Sequence, residues 1–381
     1  MLRKAALLTA FDHFTGRPKT AYPTRYHYVE ICARELADEG LTLGRIGQHG
    51  LLLTLGAVTG GSDAETRSEE GARGNRESSH GEHGRRGGAD RPGLAIAVRY
   101  TTARDLRLLE AFKERGGRIA YLLDDDLWAM AADTRLDPRY RSRIARFLDG
   151  HFNALRDLAD IAVAPNARLL ERMAPLPGAF LHPADLAPSG DLSHFDGGGG
   201  AEEETRVLFI GTATHLADFA AVAPGLAEAL AIEPSLRLST FLGRAGAAVL
   251  PASARVTHLA PMVLDEFQPW LDRARFHVAL APYAVNPVNN GRSIIKLHQH
   301  AVAGAAGIYT PTAVFSPVVE DGVNGLIAEH GPFAFRDAVL RLARDRQAAR
   351  AIAEAGIANS RRLGERGCVA RFWGRIARGE A

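Results

Sequence analysis

The chain has 381 residues, too many for one typical core, so two domains are expected. Charged residues make up 24% and hydrophobic residues 46%, as in ordinary soluble globular proteins. The formal net charge of +2 argues against nucleic-acid binding, which needs a concentrated basic face. Cys32 and Cys368 lie far apart, which excludes a zinc ribbon and suits a reducing cytosol.

The N-terminal residues 1–14 place basic side chains before a short apolar stretch. That stretch is too short for a signal peptide and predicts a first strand instead. No apolar run approaches the ~20 residues that span a bilayer. We therefore expect a cytoplasmic protein, with peripheral contact at the inner face of the cell membrane, through arginine-rich helices, left open.

Two segments interrupt the chain. Residues 60–93 combine Gly, Ser and mixed charge with almost no apolar side chains, which predicts a disordered insertion. His80 and His83 inside it are interpreted as solvated rather than as metal ligands. Four consecutive glycines and an acidic run mark 189–205 as a linker. An N-terminal domain, 1–188, thus precedes a second domain that begins at residue 206.

Short apolar runs alternate with helical patterns in both halves. In chain order the predicted strands are KAALLTA, LLLTLGAV, LAIAVRY, RIAYLL, IAVAP and AFLHP, then RVLFIG, LRLSTFLG, RVTHLA, HVALAP, GIYTPT and GLIAE. The predicted helices lie near 24–40, 103–116, 140–159, 166–173, 215–232, 264–274, 293–304, 333–345, 347–362 and 366–378. Continuous apolar strands between helices are typical of parallel sheets. The pattern predicts an α/β protein with two Rossmann-like, doubly wound domains, whose ligands bind beyond the carboxyl ends of the strands.

A strand-to-helix turn opens the second domain. It contains Gly211, Thr212 and Thr214, and Asp218 follows on the first turn of the helix. Glycine allows close approach of a ligand, and free amides at a helix start suit a phosphate. The same turn also occurs without any ligand, so by itself it is a weak signal.

The strongest local signal follows the strand HVALAP. Its polar residues are Asn289, Asn290, Arg292, Ser293, Lys296 and Gln299. Only four of the 46 lysine and arginine residues are lysines, so a lysine at this place stands out. Positions 292 and 296 are expected to share a helix face, with Ser293 as its N-cap. Two cations and free amides at a helix start predict a diphosphate cradle. The alternative is an ordinary cap beside solvated cations.

Three consecutive carboxylates, Asp124, Asp125 and Asp126, end the strand RIAYLL. An Asp-x-Asp run can hold a metal with a nucleotide-sugar diphosphate, recognise sugar hydroxyls or supply a general base. The alternative is a helix N-cap with an acidic first turn. Arg99, at the end of another strand, is a candidate counter-ion. His13 follows the first strand and is a candidate on the acceptor side.

Taken together, these motifs resemble the donor half of GT-B glycosyltransferases, the retaining group that shares a Glu-x7-Glu motif. The residues that carry the resemblance are Gly211, Thr212, Thr214, His215, Asn289, Arg292, Ser293, Lys296, Asp321, Gly322, Asn324 and Gly325. The similarity covers roughly residues 205–360. It implies a nucleotide-sugar-binding domain over 206–365 and a C-terminal helix, 366–381, that packs back on the N-terminal domain.

The chain departs from this family at both glutamates. Gln299 replaces the second glutamate and Gly291 replaces the first. In the family these carboxylates are associated with the donor sugar and the ribose. Glutamine keeps hydrogen-bonding capacity but brings no charge.

The resemblance implies a transfer of sugar from a nucleoside diphosphate sugar to a glycan, lipid-linked or protein acceptor, without metal or other cofactor. Lys296, Arg292 and Asp125 are the catalytic candidates. Asp124, Asp126, Arg99 and His13 would face the acceptor. Three alternatives remain: a catalytically silent GT-B protein, a metal-dependent GT-A transferase using the aspartates, and a Rossmann oxidoreductase, which lacks its glycine motif after the first strand.

Overall fold

A computed structural model describes residues 21–55, 93–196 and 204–380. Four sequence predictions lie outside these residues: the first strand at 4–10, His13, nearly all of the 60–93 insertion and the glycine-rich centre of the linker.

The N-terminal domain is built on a sheet with the strand order β1-β2-β3-β4-β5-β6. Its strands are β1 (Leu41–Ile46), β2 (Gly50–Leu55), β3 (Leu94–Val98), β4 (Arg118–Leu122), β5 (Ile161–Ala164) and β6 (Gly178–Phe180). Strands β3 to β6 pair in parallel, whereas β1, β2 and β3 pair antiparallel. The expected parallel pairing of β2 is therefore wrong. The three residues between β1 and β2 are too few for a parallel crossover, which takes about a dozen.

The C-terminal domain contains a fully parallel sheet with the order β12-β11-β10-β7-β8-β9. Its strands are β7 (Thr205–Phe209), β8 (Leu236–Thr240), β9 (Val256–His258), β10 (Val278–Ala281), β11 (Ala306–Tyr309) and β12 (Leu326–Ile327). This agrees with the predicted Rossmann-like arrangement. The carboxyl ends of β7, β10 and β11 meet at one edge, because these strands are parallel and β10 lies between the other two.

Helices connect the strands and cover both sheets. They are α1 (Ala21–Tyr28), α2 (Ala33–Asp38), α3 (Ala103–Glu114), α4 (Leu127–Ala132), α5 (Pro138–Phe147), α6 (Asn153–Leu158), α7 (Ala167–Arg172), α8 (Leu216–Ile232), α9 (Gly243–Val249), α10 (Leu264–Arg273), α11 (Pro287–Asn290), α12 (Ile295–Val302), α13 (Pro332–Arg344), α14 (Arg346–Leu363) and α15 (Arg366–Arg378). Two predicted single helices are interrupted: 24–40 by a 3-10 turn at Glu30–Cys32, and 140–159 by a π turn at Leu148–Phe152.

Buried strands explain the continuous apolar runs in the sequence. In β3, Leu94, Ile96 and Val98 join one apolar cluster, whereas Ala95 and Ala97 join another on the opposite face. A strand covered by helices on both faces needs apolar residues at every position. The alternation of apolar and polar residues that marks a half-exposed strand is therefore absent from β3.

One helical segment, Ala213–Ile232, is long and apolar enough to cross a membrane by length and composition, although no such segment was expected from the apolar runs of the sequence. Half of it is buried in the protein. Phe219, Val222 and Leu226 of α8 pack in the same cluster as the strands β7 and β8. The segment therefore packs as the core helix of a Rossmann-like domain.

The two domains contact each other through several elements. Helix α15 follows the C-terminal domain in sequence, yet its Trp373 packs in the N-terminal core, where Nε1 donates to the carbonyl of Tyr28 at 2.8 Å. His298 of α12 contacts the carbonyl of Pro183 at 3.1 Å. At residue 291, a Cβ atom would lie 2.4 Å from Cβ of Asp126. The carboxyl edges of the two sheets are thereby brought face to face.

Candidate functional site

The segment after β10 forms one turn of helix before α12 begins. Asn286 caps α11 by accepting a hydrogen bond from the amide of Asn289 at 2.9 Å, with Pro287 in the first turn. Helix α12 begins at Ile295, and the residue at its N-cap position is Ile294, without a side-chain hydrogen bond. The prediction that Ser293 caps this helix is therefore wrong. Arg292 lies before the helix, so a turn, and not helical spacing, brings it towards Lys296.

Arg292 is held from several sides. Its Nε donates to Oδ1 of Asn289 at 3.1 Å, and its guanidinium lies 5.8 Å from the ring centre of Tyr283. One nitrogen lies 3.7 Å from a carboxylate oxygen of Asp125 in the other domain. The second terminal nitrogen, Nη2, is buried and donates to no atom of the described residues. A buried donor without an acceptor is costly, so this nitrogen is available to a ligand oxygen.

Lys296 is buried and donates a hydrogen bond from Nζ to Oε1 of Gln299 at 3.0 Å. Within the described residues it forms no ion pair with a carboxylate. Burial, and then the positive charge of Arg292, lowers the pKa of Lys296 to about 7. The amine can therefore gain or lose its charge near neutral pH, and an arriving anion would favour the charged form.

The backbone at the start of α12 adds further donors. The amides of residues 293–295 donate to no carbonyl of the described chain. The first amides of a helix have no partner inside it, and the helix dipole favours an anion at this end. Ser293 is buried beside them. Arg292, Lys296 and these amides form what we call the cationic cradle.

The Gly211 turn is joined to the cationic cradle through Asp218. One oxygen of Asp218 accepts from Nδ2 of Asn289 at 3.0 Å, and the other lies 3.4 Å from Nδ1 of His215. His215 stacks on Tyr283 with ring centres 5.2 Å apart. Burial, and then the charge of Arg292, lowers the pKa of His215 to about 4, so the imidazole is neutral at pH 7. This frame fixes Asn289, which in turn orients Arg292.

Gly211 itself is required by packing. A Cβ atom there would lie 2.5 Å from the ring of Phe209 and 2.9 Å from Cβ of His215. Thr212 is exposed and Thr214 is partly exposed, so both can meet a ligand at the strand edge. Asn290 carries a buried Oδ1 without a partner in the described residues.

The three aspartates after β4 have separate partners. Asp124 accepts from the hydroxyl of Thr24 at 2.9 Å and lies 3.3 Å from Nε of Arg99. Burial raises the pKa of Asp124 to about 6 despite that arginine. Asp125 pairs with both Arg99 and Arg292. We call residues 124–126 the acidic loop.

Asp126 points away from the other two. It is fully buried, caps α4 by accepting from the amide of Ala129 at 2.9 Å, and pairs with Arg168 at 3.0 Å. For this residue the helix-cap alternative explains the contacts, and its assignment to the acceptor side stays a prediction. Among the described residues, no three His, Cys, Asp or Glu side chains come together as a metal-binding group.

Arg99 has an unusual backbone. It lies directly after β3 with φ at 53°, a left-handed conformation that non-glycine residues rarely adopt. The hydroxyl of Tyr121 donates to its carbonyl at 3.1 Å. Backbone strain of this kind costs about 1–3 kcal/mol and persists where the surroundings require it. Here it aims the guanidinium at Asp124 and Asp125, as expected for their counter-ion.

Sequence reasoning missed three residues at this edge. Tyr283 supports both Arg292 and His215, and it lies two residues after the end of β10. Thr310 and Thr312 follow β11, are almost completely buried, and have hydroxyls without partners in the described residues. The available signal was their position, since ligands of such sheets bind just after the strands.

Three examples illustrate the many solved structures that resemble this chain in fold. Sucrose-phosphate synthase from Thermosynechococcus elongatus is 15% identical, over 72% of this chain and 71% of its own, with a TM-score of 0.50. HepE from Anabaena, in complex with UDP and glucose, is 13% identical over 75% and 78%, with a TM-score of 0.52. A glycosyltransferase from Rickettsia africae ESF-5 is 8% identical over 76% of both chains, with a TM-score of 0.51.

At these identities the likeness establishes the fold alone. The chain has the GT-B architecture, with two Rossmann-like domains that face each other across a cleft. No protein-family model and no curated protein matches the sequence. The GT-A alternative is wrong, since it requires a single nucleotide-binding domain at the N-terminus.

Proposed function

We propose that this protein is a glycosyltransferase that takes its sugar from a nucleoside diphosphate sugar. The observation that carries the proposal is the cationic cradle at the carboxyl edge of the C-terminal sheet. Within the described residues, a buried guanidinium nitrogen without an acceptor, a buried amine without a carboxylate and backbone amides without a carbonyl partner all lie at this edge. A diphosphate supplies the oxygens and the charge that these donors lack. Among proteins of the same fold, HepE was solved with UDP and glucose.

In this proposal the cationic cradle stabilises the leaving group. Negative charge develops on the diphosphate as the bond to the sugar breaks, and Arg292 and Lys296 are placed to neutralise it. Such fixed cations permit a reaction without a metal ion. The donor binds between the domains, and the acceptor approaches from the side of Asp124 and Arg99. Exclusion of water from the site between the domains limits hydrolysis of the donor.

We further propose retention of configuration, on the basis of the motif resemblance, and a role in the synthesis of cell-surface or secreted glycans. The acceptor is a glycan, a lipid-linked sugar or a protein. We place the reaction in the cytoplasm or at the inner face of the cell membrane. These features rest on the sequence.

A silent GT-B protein that binds nucleotide or glycan is the second candidate. One observation favours it: residue 291, where the family has its first glutamate, lies so close to Asp126 that only glycine fits. The contact between the domains therefore leaves no room for a glutamate side chain at position 291. Release of nucleoside diphosphate from a donor sugar separates the two candidates, because a silent protein binds without turnover.

The first experiment compares the binding of UDP and uridine to the wild type and to Lys296→Ala, with and without Mn²⁺. Loss of a charge-assisted contact of about 1.5–3 kcal/mol should weaken UDP binding roughly ten- to hundred-fold. Uridine, which has no phosphate, should bind both proteins alike. Equal losses for the two ligands would contradict the diphosphate role of Lys296. Other nucleoside diphosphates are tested in the same way to identify the base.

A further inference from the structure

Four buried charges meet where the two domains face each other. Arg99, Asp124 and Asp125 belong to the N-terminal domain, and Arg292 belongs to the cationic cradle. Their side chains are 7%, 15%, 15% and 11% exposed, so solvent screens them little. Two positive and two negative charges make the cluster neutral. These four side chains therefore balance one another's charges without any ligand.

Arg292 is shared unequally in this cluster. Asp125 makes its close contact with Arg99 and lies 3.7 Å from Arg292, an ion pair without a hydrogen bond. The terminal Nη2 of Arg292 is buried and has no acceptor in the described residues. Arg292 therefore has the charge partner it needs when the cleft is empty, but not the hydrogen bonds that an oxyanion would provide.

An anion at Arg292 would repel Asp125. Two like charges at such a distance in a poorly screened site disfavour each other by an amount comparable to the attraction that each has for the guanidinium. The carboxylate of Asp125 can stay with Arg99 while Arg292 turns to a phosphate. Exchange of partners thus requires no unpaired charge.

Replacement of Asp125 by a phosphate as the partner of Arg292 also affects the contact between the two domains. Next to Arg292, Gly291 touches Asp126 of the acidic loop, and the carbonyl of Arg292 accepts a hydrogen bond from Nδ2 of Asn166 at 3.1 Å. Residues 291 and 292 are thereby held against the N-terminal domain by a backbone contact, a hydrogen bond and an ion pair. Removal of the ion pair weakens that set.

We propose that Asp125 is the internal counter-ion of Arg292 in the empty cleft, that the diphosphate of the donor takes its place, and that donor binding thereby loosens the acidic loop from residues 291 and 292. The inference rests on the proposed function, because it takes the cationic cradle as the diphosphate site. It makes the acidic loop a sensor of donor occupancy.

The test is a titration of wild type, Asp125→Asn and Asp149→Asn with inorganic pyrophosphate and with UDP. Asparagine keeps the shape of the side chain and removes the charge. Asp149 is an exposed aspartate of the same domain, so its variant has the same net charge as Asp125→Asn. Asp125→Asn should bind pyrophosphate about ten-fold more tightly than both other proteins, the effect of removing one competing charge.

Unchanged or weaker binding by Asp125→Asn, with normal binding by the wild type, overturns the exchange but leaves the diphosphate site intact. Absence of pyrophosphate and UDP binding in all three proteins overturns the diphosphate site and the exchange together. Circular dichroism establishes that each variant is folded.

A second measurement needs no variant. Amide hydrogen exchange of the wild type, with and without saturating UDP, reports on the acidic loop and the first turn of α4. If a phosphate replaces Asp125 at Arg292, amide hydrogen exchange should become faster at residues 124–130 and slower at residues 291–296. Slower amide hydrogen exchange in both segments would contradict the proposal, because the ligand would then tighten the contact between the domains.

Discussion

Lys296 and Gln299 form a hydrogen-bonded pair in which a neutral glutamine stands at the position of the family's second glutamate. The amine of Lys296 is buried, and its hydrogen-bond acceptor is a neutral amide at 3.0 Å. Burial and Arg292 lower its pKa to about 7, and no carboxylate of the described residues offsets them. A glutamate at 299 would place a negative charge at the same distance and hold the amine protonated. The replacement therefore makes the charge of the cationic cradle depend on pH.

Binding of UDP should weaken as the pH rises from about 7.5 to 9, by up to about ten-fold per pH unit, because it then requires uptake of one proton. Below its pKa Lys296 is already charged, so binding costs no proton there. The phosphate groups lose their last proton near a pKa of about 6 and stay fully ionised over this range. Isothermal titration in buffers of different ionisation enthalpy measures the proton directly.

Three histidines of the described residues lie near Lys296, and none of them titrates in this range. His27, His215 and His300 face Lys296, and burial lowers their pKa values to about 3, 4 and 3, so they stay neutral. Gln299→Glu should abolish the pH dependence by raising the pKa of Lys296. A dependence of the same size in Gln299→Glu would assign it to another group. In the free protein, stability should rise with pH above about 7, since the unfolded chain still binds the proton that folded Lys296 has lost.

At the scale of elements, Gly291 is the point where the acidic loop meets the segment between β10 and α12. A Cβ atom there would lie 2.4 Å from Cβ and 3.0 Å from the backbone nitrogen of Asp126. Gly291→Ala should therefore destabilise the protein by about 1–3 kcal/mol, as overpacking does, and increase exchange at the domain contact. Chemical denaturation measures the loss.

Gly150 provides the matched control for that variant. It lies in a helical turn with no atom near an added Cβ, so Gly150→Ala should be neutral or stabilise by about 0.5–1 kcal/mol. If Gly291→Ala is as stable as the wild type, the acidic loop is not held against residue 291 in solution.

The strands and helices also show which features of the fold could be predicted from the sequence. Strand and helix positions in the C-terminal domain followed from continuous apolar runs, because these strands are covered on both faces. Strand β1 was missed because only Leu41 among its residues is buried, and Thr42, Gly44 and Arg45 leave no continuous apolar run. Ser293 does not cap α12, because a separate helical turn, α11, capped by Asn286, precedes that helix and Ile294 takes its N-cap position. Local patterns predict where polar residues cluster, but the turn between them depends on packing against the other domain.

The contact between Gly291 and Asp126 was beyond the sequence for a similar reason. The two residues are far apart in the chain, and only the facing of the two sheets brings them together. From sequence, Gly291 was simply the absence of a glutamate. The acidic loop could be placed at a strand end, yet the separate partners of its three aspartates depend on Thr24, Arg168 and Arg292, which come from three other elements.

At the scale of the whole molecule, α15 links the two domains, because it packs on the N-terminal domain although it comes after the C-terminal domain in the chain. It follows the C-terminal domain covalently, but Trp373 is completely buried in the N-terminal core and donates to Tyr28. The N-terminal domain is therefore incomplete without the last helix.

Trp373→Ala should destabilise the N-terminal domain by about 3–5 kcal/mol, the usual cost of removing a buried tryptophan. The wild type is expected to unfold in one transition, whereas in the variant the N-terminal domain should unfold first. The variant keeps one tryptophan in each domain, Trp128 and Trp270. Urea unfolding followed by fluorescence, with and without Trp270→Phe, separates the two signals. Phe333→Ala removes an aromatic side chain that is 61% exposed and should change stability little. Equal, small effects of both variants would mean that α15 does not complete the N-terminal core.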